Sequence, residues 1–564
     1  MTIEEREVIV SEDYADLLIE YNGDLKVFEQ FPDGIIHFIS GRFAVLHIPE
    51  ERITDSAIFE FGYSAMPTCY GIVSSQSLEA SGVVRLRNQP VLNLRGSGVL
   101  IGIIDTGIDY TNPIFQYADG TTRIAYIWDQ TIQGDNYPEG TFYGTEYTRE
   151  DINAALQSEN PLEIVPSTDE IGHGTMVAGI AAGNPVPESD FYGIANSAEF
   201  VVVKLKPAKA YLKRFFCIPE DAICYQENDV LFGIQYLTQV AFRINRPMAI
   251  CVAIGSSQGA HDGRGLSSTF VSSVAAFYGI AVVVAAGNEG NARRHFYSTI
   301  DPAVGYVDVE LLVGENEGDF FMELWGNAPD LYYVDVLSPS GEYIPRIIGG
   351  LTDHRAITFL FESTILLIDY NMVESQSGDQ LILFRFRRPA PGIWRFRVYQ
   401  RGDLEGAINI WLPKEGFISN NTYFVNSNPY TTLLNLANTM VPITITAYNS
   451  GDNSLYLAAS RGYARTNFIV PDLAAPGINI VAPTLNHGFT EVTGTSAAAA
   501  HTTGIAALML EWGVLRENHL RMNSLVIGKL LIRGARRDPE LEYPNRDWGY
   551  GILDIFNAFD RLRS

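Results

Sequence analysis

The sequence has few of the features that mark membrane proteins or nucleic-acid-binding proteins. It contains no uninterrupted apolar run of about 18 residues, the length at which a transmembrane helix is expected, so no membrane association is predicted. Basic residues are scarce, with 39 Lys and Arg against 66 Asp and Glu and a net charge of −27. Because a surface of that sign repels phosphate groups, nucleic acid is not expected as a partner either.

Cysteine is scarce as well, with 4 among 564 residues and no metal-ligand spacing between them. Residues 1–7 are acidic and lack the positively charged and apolar regions of a secretory signal. We therefore expect a cytoplasmic protein. Cys217 and Cys224 are close enough in sequence to pair, but free thiols are the expectation in that compartment. No cofactor is predicted.

Glycine and apolar residues are abundant instead, at 50 residues and 46% of the chain. This composition predicts a globular protein, and its length exceeds what one hydrophobic core supports. We expect an N-terminal unit at 1–76, an α/β domain in two parts at 77–304 and 421–564, and an inserted β-sandwich at 305–420.

Each segment has its own pattern of strands and helices. The N-terminal unit predicts a small α+β fold, with strands at 34–39 and 43–48 and helices at 14–21 and 50–56. The α/β segments alternate apolar strands with helical stretches, which predicts a doubly wound parallel sheet with strands at 99–104, 199–205, 248–254 and 280–286. The insertion has eight short strands without crossover helices, which predicts a β-sandwich or jelly roll.

Three short segments carry side chains suited to nucleophilic catalysis. They are 103–109, 172–175 and 494–498, and they supply Asp105, His173 and Ser496 in that chain order. A serine hydroxyl becomes a nucleophile when a histidine removes its proton, and that histidine needs a buried carboxylate to fix its tautomer. Each segment alone is equally consistent with a turn or the start of a helix. The three together indicate a catalytic triad.

A fourth segment adds a hydrogen-bond donor to this set. The apolar strand at 281–286 runs into Gly287 and Asn288. The side-chain amide of Asn288 is suited to donating to an oxyanion, although the same residues are typical of a turn after a strand.

These motifs, in the order Asp, His, Ser, resemble those of the subtilases, the subtilisin-like serine proteases of family S8. The resemblance implies a serine endopeptidase with Asp105, His173 and Ser496 as its triad and Asn288 as its oxyanion donor. It also implies two walls of a substrate-binding pocket, formed by Ala253, Ile254 and Gly255 on one side and by Ala285, Ala286 and Gly287 on the other. The first wall is equally consistent with a plain core strand.

The N-terminal unit resembles the inhibitory prodomain of subtilases, although a subdomain without regulatory role fits the same pattern. The resemblance implies self-cleavage near Gln76 and Ser77, with an uncut linker as the alternative. The extended run at 72–77 is expected to lie as an added strand against residues 252–255. The prodomain would then stay bound in cis as an inhibitor.

Within the family, the retained prodomain and the insertion between Asn288 and Ser496 resemble the clostridial Csp-type spore-germination proteases. This implies packaging in the spore and limited proteolysis of a protein substrate, the precursor of a cortex-lytic hydrolase. A catalytically silent signalling or binding protein and a general degradative subtilase are the alternatives. No metal is predicted, because Ile114 stands where many secreted subtilases have an acidic calcium ligand, and calcium requires oxygen ligands.

Overall fold

The sheet that carries the predicted site has eight strands. The computed structural model describes residues 3–73, 93–402, 404 and 406–562. Neighbouring strands of this sheet are parallel except the last pair, and their order is Leu473–Pro476, Ile443–Tyr448, Ile280–Ala285, Met248–Val252, Leu100–Asp105, Glu199–Lys204, Ile124–Asp129 and Thr145–Thr148. The central strands are buried on both faces, which is why they are continuous apolar runs. The predicted parallel α/β sheet is therefore present, with one antiparallel edge strand in addition.

Helices cover both faces of this sheet. One hydrophobic cluster contains the helices His173–Ala182 and Thr495–Leu510, and the cluster on the other face contains Glu227–Arg243 and Leu266–Ala275. Every residue of the helices His173–Ala182 and Thr495–Leu510 is buried. Their many small side chains allow this close packing. The other α-helices among the described residues are Ile3–Val10, Ala57–Phe61, Arg149–Leu156, Pro161–Ile164, Ala210–Phe215, Ser524–Gly534 and Ile555–Asp560.

The N-terminal unit contains a three-stranded antiparallel sheet, in which Phe43–Pro49 lies between Tyr14–Glu20 and Ile35–Phe38. The helix predicted at 14–21 is wrong, because that segment is a strand. Leu17 and Leu18 point into different hydrophobic clusters, which requires the two-residue alternation of a strand. The helix predicted at 50–56 is also wrong, since a 3₁₀ turn at Glu50–Arg52 precedes the helix Ala57–Phe61.

The insertion consists of two antiparallel sheets that enclose one hydrophobic cluster. The first sheet has the order His295–Ile300, Gly406–Trp411, Phe320–Gly326, Gln380–Arg387, Ile365–Asn371 and Thr352–Thr358. The second has the order Tyr343–Ile347, Leu331–Leu337, Gly392–Arg401, Tyr306–Val313 and Tyr423–Phe424. The strands therefore extend on both sides of the expected range 305–420. Three of them, His295–Ile300, Tyr343–Ile347 and Tyr423–Phe424, were not predicted.

Three short strands, Cys69–Ile72, Tyr225–Gln226 and Ile254–Gly255, form a separate small sheet, and Ile480–Pro483 pairs with Phe489–Val492. Cys69, Cys217, Cys224 and Cys251 are buried free thiols. None of the helices in the described part of the chain combines the length and the apolar character needed to cross a bilayer.

Candidate active site

The candidate site is built on the carboxyl end of the strand Leu100–Asp105. This strand lies between Met248–Val252 and Glu199–Lys204 and is parallel to both. Asp105 is its last residue and is fully buried. The carboxyl ends of parallel strands are where open α/β sheets form their binding crevices, so the strand order itself places this carboxylate in a cleft.

His173 and Ser496 both lie in the first turn of a helix. His173 begins the helix His173–Ala182, and Ser496 is the second residue of Thr495–Leu510. The residues before these helices, Gly172 and Gly494, have φ of 91° and 152°, a region that favours glycine. Because Ser496 is in the first turn of its helix, its backbone N–H lies at the positive end of the helix dipole.

The three side chains form one hydrogen-bonded chain. His173 Nδ1 lies 2.7 Å from Asp105 Oδ1, and His173 Nε2 lies 3.2 Å from Ser496 Oγ. The hydroxyl of Ser496 also lies 3.3 Å from the Ala253 carbonyl oxygen, to which it donates. All three side chains are buried, so water does not compete for these contacts.

The surroundings of His173 favour its charged form. Burial by itself lowers the pKa of an imidazole, but the adjacent carboxylate of Asp105 outweighs this effect, and the pKa of His173 is raised above 6.5. The backbone N–H of Thr106 donates to the same carboxylate oxygen at 2.8 Å, which holds it in place. Such a histidine can accept a proton from Ser496 and keep it while charge develops on a substrate.

Asn288 is oriented by the residue that precedes the candidate nucleophile. Its Oδ1 accepts hydrogen bonds from the backbone N–H and from the hydroxyl of Thr495, both at 3.2 Å. The Thr495 hydroxyl oxygen in turn accepts from the backbone N–H of Gly287 at 3.0 Å. Because its oxygen is engaged by the residue that precedes Ser496, the side-chain amide of Asn288 is held next to the start of the serine helix.

Asp169 is a positioning residue that the sequence reasoning missed. Its Oδ1 accepts from the hydroxyl of Thr106 at 2.8 Å, and its Oδ2 accepts from the N–H and the hydroxyl of Thr175 at 2.9 and 2.8 Å. The Thr106 hydroxyl oxygen accepts from the backbone N–H of Gly174 at 2.9 Å. Asp169 therefore joins the loop after Asp105 to the first turn of the histidine helix. The backbone N–H of Gly172 donates to Asp169 Oδ1 at 2.8 Å. An Asp three residues before a glycine is typical of such a turn, and this is the sequence signal that could have indicated Asp169.

The cleft beside the triad is occupied by the chain's own N-terminal segment. The strand Cys69–Ile72 pairs antiparallel with Ile254–Gly255, with Gly71 opposite Gly255 and Ile72 opposite Ile254. The next residue, Val73, accepts a hydrogen bond through its carbonyl oxygen from His173 Nε2. Gln76 and Ser77, the residues predicted to flank the cleaved bond, lie outside the described residues.

The chain's relatives are consistent with this arrangement. The model of the subtilase family, Peptidase S8, matches residues 96–306 and 419–551. The chain belongs to the subtilase family. The unmatched stretch between these two ranges contains most of the inserted sandwich of this subtilase.

Two curated relatives are subtilisin-like proteases. Subtilisin-like protease SBT3.15 of Arabidopsis thaliana is 25% identical over 514 residues, which cover 86% of this chain and 60% of that protein. Subtilisin-like protease 3 of Pseudogymnoascus destructans is 31% identical over 196 residues, which cover 34% of this chain and 40% of that protein. The chain thus spans three fifths or less of the length of these relatives.

A solved structure extends the likeness to most of the fold. The CspB protease of Clostridium perfringens is 30% identical, with a TM-score of 0.76, and the match covers 86% of this chain and 98% of that one. The predicted resemblance to Csp-type subtilases is confirmed by this match.

One side chain packs against both segments that were predicted as pocket walls. Ala253, Ile254 and Gly255 of the first segment and Ala285, Ala286 and Gly287 of the second are all buried. Leu434 packs against both segments, because a Cβ added to either Gly255 or Gly287 would lie 2.6 Å from its side chain. The sequence did not indicate this contact.

The metal prediction concerns Ile114. This side chain lies on a 3₁₀ turn at Pro113–Phe115 and is buried in the hydrophobic cluster that contains the helix His173–Ala182. Among the described residues, no group of three or more His, Cys, Asp or Glu side chains is arranged to hold a metal ion.

Proposed function

We propose that this protein is a serine endopeptidase in which Ser496 forms an acyl-enzyme. His173 takes the proton of Ser496 as the hydroxyl attacks the scissile carbonyl, and Asp105 stabilises the imidazolium that results. Asn288 Nδ2 and the backbone N–H of Ser496 bind the oxyanion of the tetrahedral intermediate. His173 then donates its proton to the leaving amine, and water releases the acyl group by the reverse sequence. The observation that carries this proposal is the buried chain of contacts from Asp105 through His173 to Ser496.

We further propose that the enzyme cleaves its own chain between Val73 and Ser74. Gly71 and Ile72 lie against Gly255 and Ile254 as an added strand, the way in which peptide substrates bind at a sheet edge. The next carbonyl along the chain, that of Val73, is the one that meets His173. This register supports a bond three positions before the one expected at Gln76 and Ser77.

The N-terminal unit has the contacts needed to remain bound after such a cut. The fully buried carboxylate of Asp16 accepts from Lys209 Nζ at 2.8 Å, from Gln226 Nε2 at 2.9 Å and from His47 Nδ1 at 2.7 Å. Burial opposes ionisation of this carboxyl, but Lys209 and His47 outweigh it and hold the pKa of Asp16 well below its usual range. We infer that the unit acts as a prodomain that blocks the site in cis.

The physiological role that fits this arrangement is limited proteolysis of one protein substrate. A cleft filled by the enzyme's own segment favours selective cleavage over general degradation. The likeness to the CspB protease supports the expectation of a Csp-type enzyme, in which the insertion is a jelly roll. We therefore propose activation of a cortex-lytic hydrolase precursor during spore germination, with the protein packaged in the spore.

Labelling with a fluorophosphonate tests the proposed chemistry. After the N-terminal fragment has been displaced from the cleft, the probe is expected to modify Ser496 in the otherwise unchanged protein and in Ser273→Ala, a control that removes a helical serine outside this site. It should not modify Ser496→Ala, and labelling should be weak in His173→Ala because the hydroxyl then lacks its base. A protein that binds a substrate without reacting with the probe would instead be a catalytically silent binding protein.

A further inference from the structure

A lysine between two strands of the inserted sandwich contacts the segment in the cleft. Lys414 follows the strand Gly406–Trp411. Its Nζ donates to the carbonyl oxygen of Ile72 at 3.3 Å and to that of Glu415 at 2.7 Å. The side chain is 5% exposed, so these two carbonyls replace water around the amine. Lys414 thus touches the main chain of the residue that precedes Val73.

The same amine fills the space beside Gly71. A Cβ at Gly71 would lie 2.8 Å from Lys414 Nζ and 3.4 Å from Cζ of Phe417. The first of these distances is shorter than real Cβ contacts, so any side chain at this position requires Lys414 to move. Gly71 lies in the regular strand Cys69–Ile72, where the backbone suits any residue. The restriction therefore comes from lack of space and not from backbone strain.

Lys414 is held in a way that resists such a movement. Leaving its position would break its hydrogen bonds to the carbonyls of Ile72 and Glu415, in a setting where an unpaired polar group is costly. The adjoining backbone is fixed as well, because Glu415 N–H donates to Glu289 Oε1 at 3.0 Å. Glu289 is itself paired with Arg294 at 2.6 Å, and both side chains are buried.

We propose that Lys414 is a substrate-binding residue that selects glycine at the third residue before the cleaved bond. The inference rests on the proposed peptidase activity and on the register that places Gly71, Ile72 and Val73 in that order before the bond. The substrate class is then an extended protein segment with glycine at that position, followed by two residues and the cut. The same rule applies to the enzyme's own chain and to a separate protein substrate.

Self-cleavage of the full-length chain provides the first test. Its rate is measured in the unchanged protein, in Gly71→Ala, in Lys414→Ala and in the double variant. Gly71→Ala is expected to slow cleavage about tenfold, whereas the same change in the Lys414→Ala background slows it less than about threefold. Gly41→Ala is the matched control, because a Cβ there meets no atom within 4 Å, and it should cleave at the unchanged rate.

Peptide hydrolysis by the processed protein, after its N-terminal fragment has been displaced from the cleft, provides a second test that does not depend on the folding of Gly71→Ala. The probes are two p-nitroanilide peptides, Thr-Cys-Tyr-Gly-Ile-Val and its Ala counterpart at the fourth residue. In the protein with Lys414 intact, kcat/KM should favour the glycine peptide about tenfold, and Lys414→Ala should remove most of that preference.

The outcomes separate this inference from the proposed function. Equal rates for glycine and alanine in the unchanged protein would overturn the selection of glycine. A preference of the same size with and without Lys414 would overturn the assignment to Lys414. If the unchanged protein cuts neither its own chain nor, with the N-terminal fragment displaced, either peptide, the proposed peptidase activity is contradicted as well.

Discussion

Removing the carboxylate of Asp169 should reduce both the stability and the activity of the enzyme. In Asp169→Ala, the Thr106 hydroxyl and the N–H and hydroxyl of Thr175 lose a buried acceptor. At about 1–3 kcal/mol for each buried donor left unpaired, and with partial relaxation, the free energy of unfolding should fall by about 3–6 kcal/mol. At about 2 °C per kcal/mol for a large domain, Tm should fall by about 6–12 °C.

The loss of activity has a separate cause. Gly174 N–H donates to the Thr106 hydroxyl oxygen, so releasing Thr106 also releases the first turn of the histidine helix. A displacement of His173 by about 1 Å is expected to lower kcat about a hundredfold. Asp169→Asn keeps the shape but places an amide N–H₂ against other donors, so its effects on Tm and kcat should be intermediate.

Calorimetry and peptide hydrolysis measure these two effects. Asp119→Ala is a matched control, because this carboxylate also accepts from the N–H and hydroxyl of a nearby threonine, at 3.0 and 2.6 Å, but on the exposed surface. It should leave Tm and kcat nearly unchanged. An Asp169→Ala protein with the Tm and kcat of the unchanged chain would refute the reasoning.

Three further predictions concern the chemistry and the bound N-terminal unit. Because His173 must be neutral to act as a base and its pKa is raised, activity should increase with pH through an apparent pKa above 6.5. Asp105→Asn should move this limb to lower pH and reduce kcat about ten-thousandfold. Asn288→Ala should lower kcat about 10²–10³-fold with little change in KM, since its Nδ2 acts on the oxyanion. Lys209→Ala leaves Asp16 buried without its cationic partner and should cost about 3–5 kcal/mol of stability, measured by denaturant unfolding.

Each of these has a contrary result. A pH profile of kcat/KM with its acid limb below 6.5 would contradict the raised pKa of His173. An Asn288→Ala protein with unchanged kcat would remove Asn288 from the oxyanion site. For Lys209, the exposed residue Lys26 gives the control Lys26→Ala, and equal unfolding midpoints for the two variants would contradict the role of the buried pair.

The parts of the fold that could be predicted from the sequence are those set by local pattern. Apolar runs bounded by turns predicted the strands Leu100–Asp105 and Ile280–Ala285, because parallel strands are buried on both faces. The segment Tyr14–Glu20 was mistaken for a helix because its adjacent apolar residues fit either period. Only its pairing with Phe43–Pro49 decides between them.

The residues of the candidate site also fall into those that the sequence indicates and those that only the fold brings to the cleft. Asp105, His173 and Ser496 each stand in a short motif that is informative without knowledge of the fold. Leu434 and Lys414 do not, because Leu434 follows the insertion, Lys414 lies within it, and the sequence neighbours of each carry no signal of a position near the cleft. Their roles arise from tertiary packing against Gly255, Gly287 and Gly71, which a linear sequence does not display.

The most direct test of the account is the intact mass and N-terminal sequence of the purified protein beside Ser496→Ala. We expect the unchanged chain to yield two fragments that remain together, the second beginning at Ser74. Ser496→Ala should remain a single chain, because no acyl-enzyme can form. A single uncut chain in both proteins, or the same cut in both, would contradict self-cleavage by Ser496.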